Sequence, residues 1–206
     1  MRTKTLLLTA VLVAAGVATS MAQAVYSVNI VGYVHVDVPV GFSMIANQLD
    51  NKKGNMLGDL ITGAATGTTI YKFDGAGFSP STFIEGLGWS PDASLAPGEG
   101  AFIQVLAATK LTFVGEVKTG PQTVAIPAGF SIKSSILPIS ESLDGVGVGF
   151  PAQTGDTVYF FRGGGYQPAT FIEGLGFSPE AKPNVGESFF VNKTSAGNWI
   201  RDFKVN

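Results

Sequence analysis

Thr82-Phe83-Ile84-Glu85-Gly86-Leu87-Gly88-Trp89-Ser90-Pro91 returns as Thr170-Phe171-Ile172-Glu173-Gly174-Leu175-Gly176-Phe177-Ser178-Pro179, and the shift of 88 residues holds without a gap well beyond both stretches. Between Gly67 to Gln104 and Gly155 to Asn192, 20 of 38 aligned pairs are identical, too many for coincidence. The same shift carries Pro39-Val40-Gly41-Phe42-Ser43 onto Pro127-Ala128-Gly129-Phe130-Ser131. It also carries Gly98, Glu99 and Phe102 onto Gly186, Glu187 and Phe190. Self-similarity at a fixed spacing marks a repeat architecture. The chain is one unit of about 88 residues written twice, with expected bounds 25–117 and 118–206.

The 27 glycines and 11 prolines cluster between short runs rich in Val, Ile, Thr, Phe and Tyr, which is the punctuation of an all-β protein. The expected fold is two tandem β-sandwich-like repeats. Thr69, Tyr71 and Phe73 share one face of their strand and recur as Thr157, Tyr159 and Phe161. The opposite face carries Ile70, Val158 and Phe160, so this strand is apolar on both sides and belongs at the centre of a sandwich or under a covering loop. Tyr71 to Phe78 reads as a hairpin around Asp74-Gly75, with Asp74 acting in the turn. Asn55 to Ile61 reads as a short helix, and its counterpart Leu143 to Gly149 is too rich in glycine for a long one. Val31-Gly32-Tyr33-Val34 resembles Val114-Gly115-Glu116-Val117, and the aligned end of the second unit is Arg201 to Val205. Three related terminal strands for two units leave one surplus, available to pair within its own unit or with a second copy.

Residues 1–24 read as a secretory signal peptide: a basic start at Arg2 and Lys4, an apolar run from Leu6 to Ala18, and a cleavage pattern at Ala22-Gln23-Ala24. Removing Arg2 and Lys4 leaves 11 basic against 15 acidic residues, a mature net charge of −4. A weakly acidic chain without basic runs argues against nucleic acid and anionic membrane as partners, and no second long apolar stretch predicts a membrane span. With no cysteine, disulfides and thiolate chemistry are excluded, and an exported chain must rely on its core.

The pattern Asn29-Ile30-Val31-Gly32-Tyr33-Val34, then Pro-x-Gly-Phe-Ser with Ile45-Ala46-Asn47, Gly88-Trp89-Ser90-Pro91, and Gly98-Glu99-Gly100-Ala101-Phe102 resembles a group of uncharacterised secreted repeat proteins of verrucomicrobial-type bacteria, over essentially the whole mature chain. It is also distantly similar to exported bacterial β-sandwich modules carrying a Gly-Trp-Asn-Leu-Ile-Gly-Asn-Pro motif. Gly41-Phe42-Ser43-Met44-Ile45-Ala46-Asn47-Gln48 would be a degenerate form, with Phe42 for the tryptophan and no proline. The resemblance implies a secreted or surface-bound β protein and no particular activity.

Catalytic constellations are sparse. His35, the single histidine, alternates with valines on a predicted strand, and without cysteine no Cys-His pair exists. Ser43 and Ser131 lack a nucleophile elbow. One histidine and no cysteine leave transition metals without preferred ligands, so no metal and no cofactor is expected. Asp50 to Asn55 lacks the alternation and closing glutamate of a calcium loop and reads as a solvated loop. Glu85 and Glu173, and Glu99 and Glu187, each appear once per unit and could supply paired carboxylates. The simpler reading is that each accepts hydrogen bonds from the amides of its own glycine turn.

Recurring aromatics leave one binding option. Trp89 and Phe177, with Phe78 and Tyr166, recur around the signature, and with Glu85 and Glu173 they are the candidate ligand-binding residues if they form an exposed sugar platform; the alternative is that they are core. The expectation is a non-catalytic β-sandwich repeat protein for cell-surface structure, adhesion or assembly, whose partners are a second copy or surface polysaccharide. A carbohydrate-binding module is the alternative, and a carboxylate-dependent glycoside hydrolase the third reading.

Overall fold

The computed structural model describes residues 30–204, so the signal-peptide reading lies outside the described residues. The first repeat runs β1 (Val31–Val38), β2 (Gly41–Ile45), a one-turn helix α1 (Leu57–Leu60), β3 (Thr69–Phe73), β4 (Phe78–Ile84), β5 (Gly88–Ser90), β6 (Ala101–Val105) and β7 (Thr109–Glu116). The second runs β8 (Gly120–Ile126), β9 (Gly129–Lys133), β10 (Thr157–Arg162), β11 (Gly165–Ile172), β12 (Gly176–Ser178), β13 (Phe189–Lys193) and β14 (Gly197–Phe203), without a helix between β9 and β10. Each repeat forms a five-stranded antiparallel sheet, ordered β2-β6-β3-β4-β5 and β9-β13-β10-β11-β12, and a two-stranded ribbon, β1-β7 and β8-β14. The duplication is reproduced to the side chain: Thr69 faces Thr82 with hydroxyls 3.0 Å apart, and Thr157 faces Thr170 with the same separation.

Strand β3 sits at the middle of its sheet, where the two-faced apolar pattern places it. Its Ile70 face is buried on the ribbon side, packed with Val34 and Val38 of β1, Ile103 of β6, Phe113 of β7, and Trp89. The second repeat builds the equivalent core from Val158, Phe160, Phe177, Phe189 and Trp199. The other face of each five-stranded sheet packs on its counterpart in the other repeat: Met44, Tyr71, Phe73 and Phe102 meet Ile132, Tyr159, Phe161 and Phe190. The molecule is therefore stacked ribbon, sheet, sheet, ribbon.

The contact obeys an internal pseudo-twofold. Phe73 packs on Phe190 at 5.4 Å and its counterpart Phe161 on Phe102 at 5.3 Å, while Phe102 and Phe190 meet each other at 6.0 Å across the axis. Backbone bonds cross in matched pairs, Ala46 N to Gly186 O at 2.8 Å and Ser134 N to Gly98 O at 3.1 Å. This is the isologous geometry of a twofold dimer, realised within one chain. Gly100 is required by the approach itself, since a Cβ there would lie 2.3 Å from Ser188 Cβ and 2.6 Å from Ile132.

The terminal strand expected to be surplus has a partner. Val31 to Val38 pairs along its full length with Thr109 to Glu116, so the two similar sequences are the two sides of one ribbon rather than copies of one element. In the segment joining the repeats Thr119 and Pro121 are exposed, as glycine and proline suggest, but Lys118 is half-buried and Gly120 already belongs to β8. No helix among the described residues is long and apolar enough to cross a membrane.

Candidate functional site

The inter-repeat contact is not sealed at its margins. Phe42, Phe78, Phe130 and Tyr166 are each about half exposed, at 47%, 47%, 47% and 51%. They rim two clefts related by the pseudo-twofold. One, of about 420 Å³, is lined by Phe42, Tyr71, Phe78, Phe102, Phe161 and Tyr166; the other, of about 330 Å³, by Phe73, Phe130, Tyr159, Tyr166 and Phe190. Every lining residue is aromatic. Period-two alternation puts these rings on one sheet face, and the facing repeat brings its own set opposite.

The rings are set at angles. Phe42 and Tyr71 are tilted by 46°, Phe78 and Phe102 by 66°, and Phe130 and Tyr159 by 38°. Tilted and edge-to-face packing of this kind suits cohesion between rings, whereas a sugar face needs a flat surface. Polar groups at the clefts are few. The Tyr71 hydroxyl donates to Gln104 Oε1 at 2.9 Å, and burial pushes the Tyr166 phenol above its ordinary pKa.

The six candidate ligand-binding residues do not form one site. Phe78 and Tyr166 line the clefts. Trp89 and Phe177 do not: they are buried in the separate repeat cores, Trp89 against Phe83 at 5.7 Å and Phe177 against Phe171 at 5.3 Å, which corrects the platform reading for this pair. The Trp89 indole N–H is buried without a hydrogen-bond partner, and its counterpart phenylalanine has no such group to satisfy. Glu85 and Glu173 are exposed in the β4-β5 and β11-β12 turns, and among the described residues neither carboxylate has a hydrogen-bond partner, so the turn-amide role expected for them is also corrected. The tightness of those turns comes instead from Gly86 and Gly88, with φ of 80° and 87°.

Glu99 and Glu187 do fill the turn role. Glu99 accepts from Ala96 N at 2.8 Å and from Lys72 Nζ at 3.0 Å; Glu187 accepts from Asn184 N at 2.7 Å and from Arg162 at 2.7 and 2.6 Å. The cation moves by two residues, since Arg162 aligns with Asp74 and not with Lys72, yet it stays on the same strand face. Both cations also donate to equivalent carbonyls, Ser94 O and Lys182 O. Asp74 accepts from Ala76 N and Gly77 N, both at 2.9 Å, and these amides hold its carboxyl below the usual range.

The remaining polar candidates are likewise occupied. A hollow of about 750 Å³ runs past His35, Asp37 and Glu187, but His35 Nδ1 is 2.9 Å from its cross-strand neighbour Thr112 Oγ1, and Asp37 is 3.4 Å from Lys110. In the Asp50 to Asn55 loop, Asp50 and Asn51 accept from Lys52 N, Lys53 N and Asn55 N at 2.8 to 2.9 Å, so its oxygens serve its own backbone. Among the described residues no three His, Cys, Asp or Glu side chains converge as a metal site.

A feature outside the repeat signature escaped sequence reasoning. Lys193 and Asp156 form an ion pair in the second repeat with both side chains fully buried, where the first repeat has Val105 and Thr68. Repeat comparison hides whatever one copy alone possesses. A lysine at Lys193, on the same strand parity as the apolar Phe189 and Val191, was the available signal.

Fold and clefts together define a two-repeat β-sandwich protein with paired aromatic clefts. No protein-family model, curated protein or solved structure matches the chain.

Proposed function

We propose that this is a secreted, non-catalytic β-sandwich repeat protein for cell-surface structure, adhesion or assembly, akin to the secreted repeat proteins of verrucomicrobial-type bacteria that its motifs resemble. The observation that carries the reading is the use made of the repeated aromatics. Phe73, Phe102, Phe161 and Phe190 bind one repeat to the other, and Trp89 and Phe177 fill the cores. Duplicated residues serve cohesion, while the duplicated acids Glu99 and Glu187 are tied to a cation and a turn amide. A second reading, a carbohydrate-binding module, draws support from the two clefts at Phe78 and Tyr166, with surface polysaccharide as partner.

The test is fractionation of producing cells with an antibody to the purified protein, alongside a glycan array and a screen for glycan hydrolysis. The expected result is protein in the envelope or medium, beginning at Val25, with no turnover. Full-length chain in the cytoplasm, or hydrolysis lost in Glu99→Gln or Glu187→Gln, would overturn the proposal. Array binding abolished by Phe78→Ser or Tyr166→Ser would favour the second reading.

A further inference from the structure

Asp156 immediately precedes β10 and Lys193 ends β13, extending a register in which Thr157 faces Asn192. Both side chains are fully buried, with an aromatic pair on one side: Lys193 Nζ lies 5.9 Å from the Phe150 ring centre, and Phe150 packs on Trp199 at 5.1 Å. The carboxylate is held from every side. Oδ1 accepts from Thr194 N at 2.7 Å and Thr194 Oγ1 at 2.9 Å; Oδ2 accepts from Gln153 N at 2.8 Å and from Lys193 Nζ, which also donates to Pro151 O. Burial pushes the Asp156 carboxyl up, hydrogen bonds from Lys193, Thr194 and Gln153 pull it down, and the latter prevail, so Asp156 rests as the carboxylate.

Burying two full charges in an apolar core is costly, and replacing such a pair by uncharged groups is often neutral or favourable. The first repeat illustrates this, holding the same fold with Thr68 and Val105. The second repeat has a chemical route to the same end, because an amine and a carboxyl in contact in a low-dielectric site can condense. High effective concentration of held groups replaces the encounter.

We propose that Lys193 and Asp156 form an intramolecular amide bond that cross-links the end of β13 to the segment entering β10. One ammonium proton passes to Oδ2, leaving a neutral amine and a carboxylic acid. The Nζ lone pair attacks Cγ, and the charge developing on Oδ1 is met by the two Thr194 donors, the arrangement of an oxyanion hole. A second Nζ proton passes to the Oδ2 hydroxyl, the Cγ–Oδ2 bond breaks, and water departs. Nζ keeps its third proton, so ammonium plus carboxylate gives amide plus water without any further reactant. Gln153, Thr194 and Ser195 are exposed, so the water leaves through a single layer of side chains. A chain without cysteine thereby gains a covalent closure that reduction cannot open.

Intact mass spectrometry of the denatured full chain, with its N-terminus sequenced, decides the matter. The expected mass is that of the chain less one water, and trypsin should release peptide 134–162 joined to peptide 163–201, cleavage at Lys193 being blocked. Lys193→Met and Asp156→Ala should each restore the full mass. The proposal is overturned by a wild-type mass equal to that of the sequence, or by a water loss that maps to Asp74-Gly75 or Asp144-Gly145, where succinimide formation gives the same decrement. The wild-type measurement stands alone if either variant fails to fold.

Discussion

Where the repeats touch, Phe42, Tyr71, Phe73, Phe78 and Phe102 have Phe130, Tyr159, Phe161, Tyr166 and Phe190 as counterparts; at the far end of each unit, Thr62, Thr68, Val105 and Leu111 have Phe150, Asp156, Lys193 and Trp199. The contact face remains aromatic at all five positions, whereas the far ends share nothing. An isologous surface is self-complementary, so a change in one copy must be accommodated by the same residue's surroundings in the other. The far ends face no copy of themselves. In the first repeat this end holds a hollow of about 420 Å³ beside Thr68, Val105 and Leu111. In the second, the space is occupied by Trp199, whose indole donates to Val148 O at 2.7 Å, and by the buried Lys193 and Asp156.

The comparison breaks most sharply at the axis. Phe102→Ala and Phe190→Ala should each cost about 3 to 5 kcal/mol, as core phenylalanine truncations do, and by similar amounts. Chemical denaturation of the two variants measures this, and a large inequality would show that the pseudo-twofold is not energetically shared.

Acid should act unequally on the repeats. Asp144, in the second, accepts from Ser142 Oγ at 2.5 Å and from Phe177 N at 2.8 Å, and these bonds hold its carboxyl below the usual range; its counterpart in the first is Met56. Because the folded-state pKa is depressed, the stabilisation is full above the ordinary aspartate value of about 3.9 and is lost as pH falls through the lowered value. Amide hydrogen exchange between pH 5 and 3 should show the Phe177 amide losing protection, while the Trp89 amide changes little. Asp144→Asn should remove that difference at a cost of about 1 kcal/mol.

Trp89→Phe gives the first repeat the residue of the second. It removes an indole donor that has no partner, so the lost ring area is offset and thermal denaturation should move by less than about 1 kcal/mol. The smallest effect belongs to Glu85→Ala and Glu173→Ala, expected within about 0.5 kcal/mol of wild type because both side chains are exposed and have no partner among the described residues. A loss above 1 kcal/mol at either would restore a structural role to these turns.

The 88-residue shift made the duplication legible, and the two-faced apolar strand marked the sheet centre, while the order of the strands came only with the fold. Its second face, carried by Tyr71 and Phe73, also held the information that the repeats stack, but cover by another repeat and cover by a loop produce the same pattern. Trp89 and Phe78 both recur around one signature and look alike in sequence, yet alternation along a strand and a hairpin turn send them to opposite sides of the sheet. The likeness of Val31-Gly32 to Val114-Gly115 read as repetition because paired strands under common packing demands converge in composition. Lys193 and Asp156, 37 residues apart, became neighbours only through the β10-β13 pairing.

Each ribbon brings the outer end of its repeat to the junction: Val31 pairs with Glu116 and Phe203 with Gly120, and only residues 117–119 lie between those partners. Both ends of the described chain thus lie beside the connection, within a span of about 25 Å by extended-chain reach. The order in which the repeats are written is then a matter of peptide connectivity rather than of packing. A gene opened at 118 and closed by a short flexible link from 204 to 30 would encode the same stacked layers with the second repeat first.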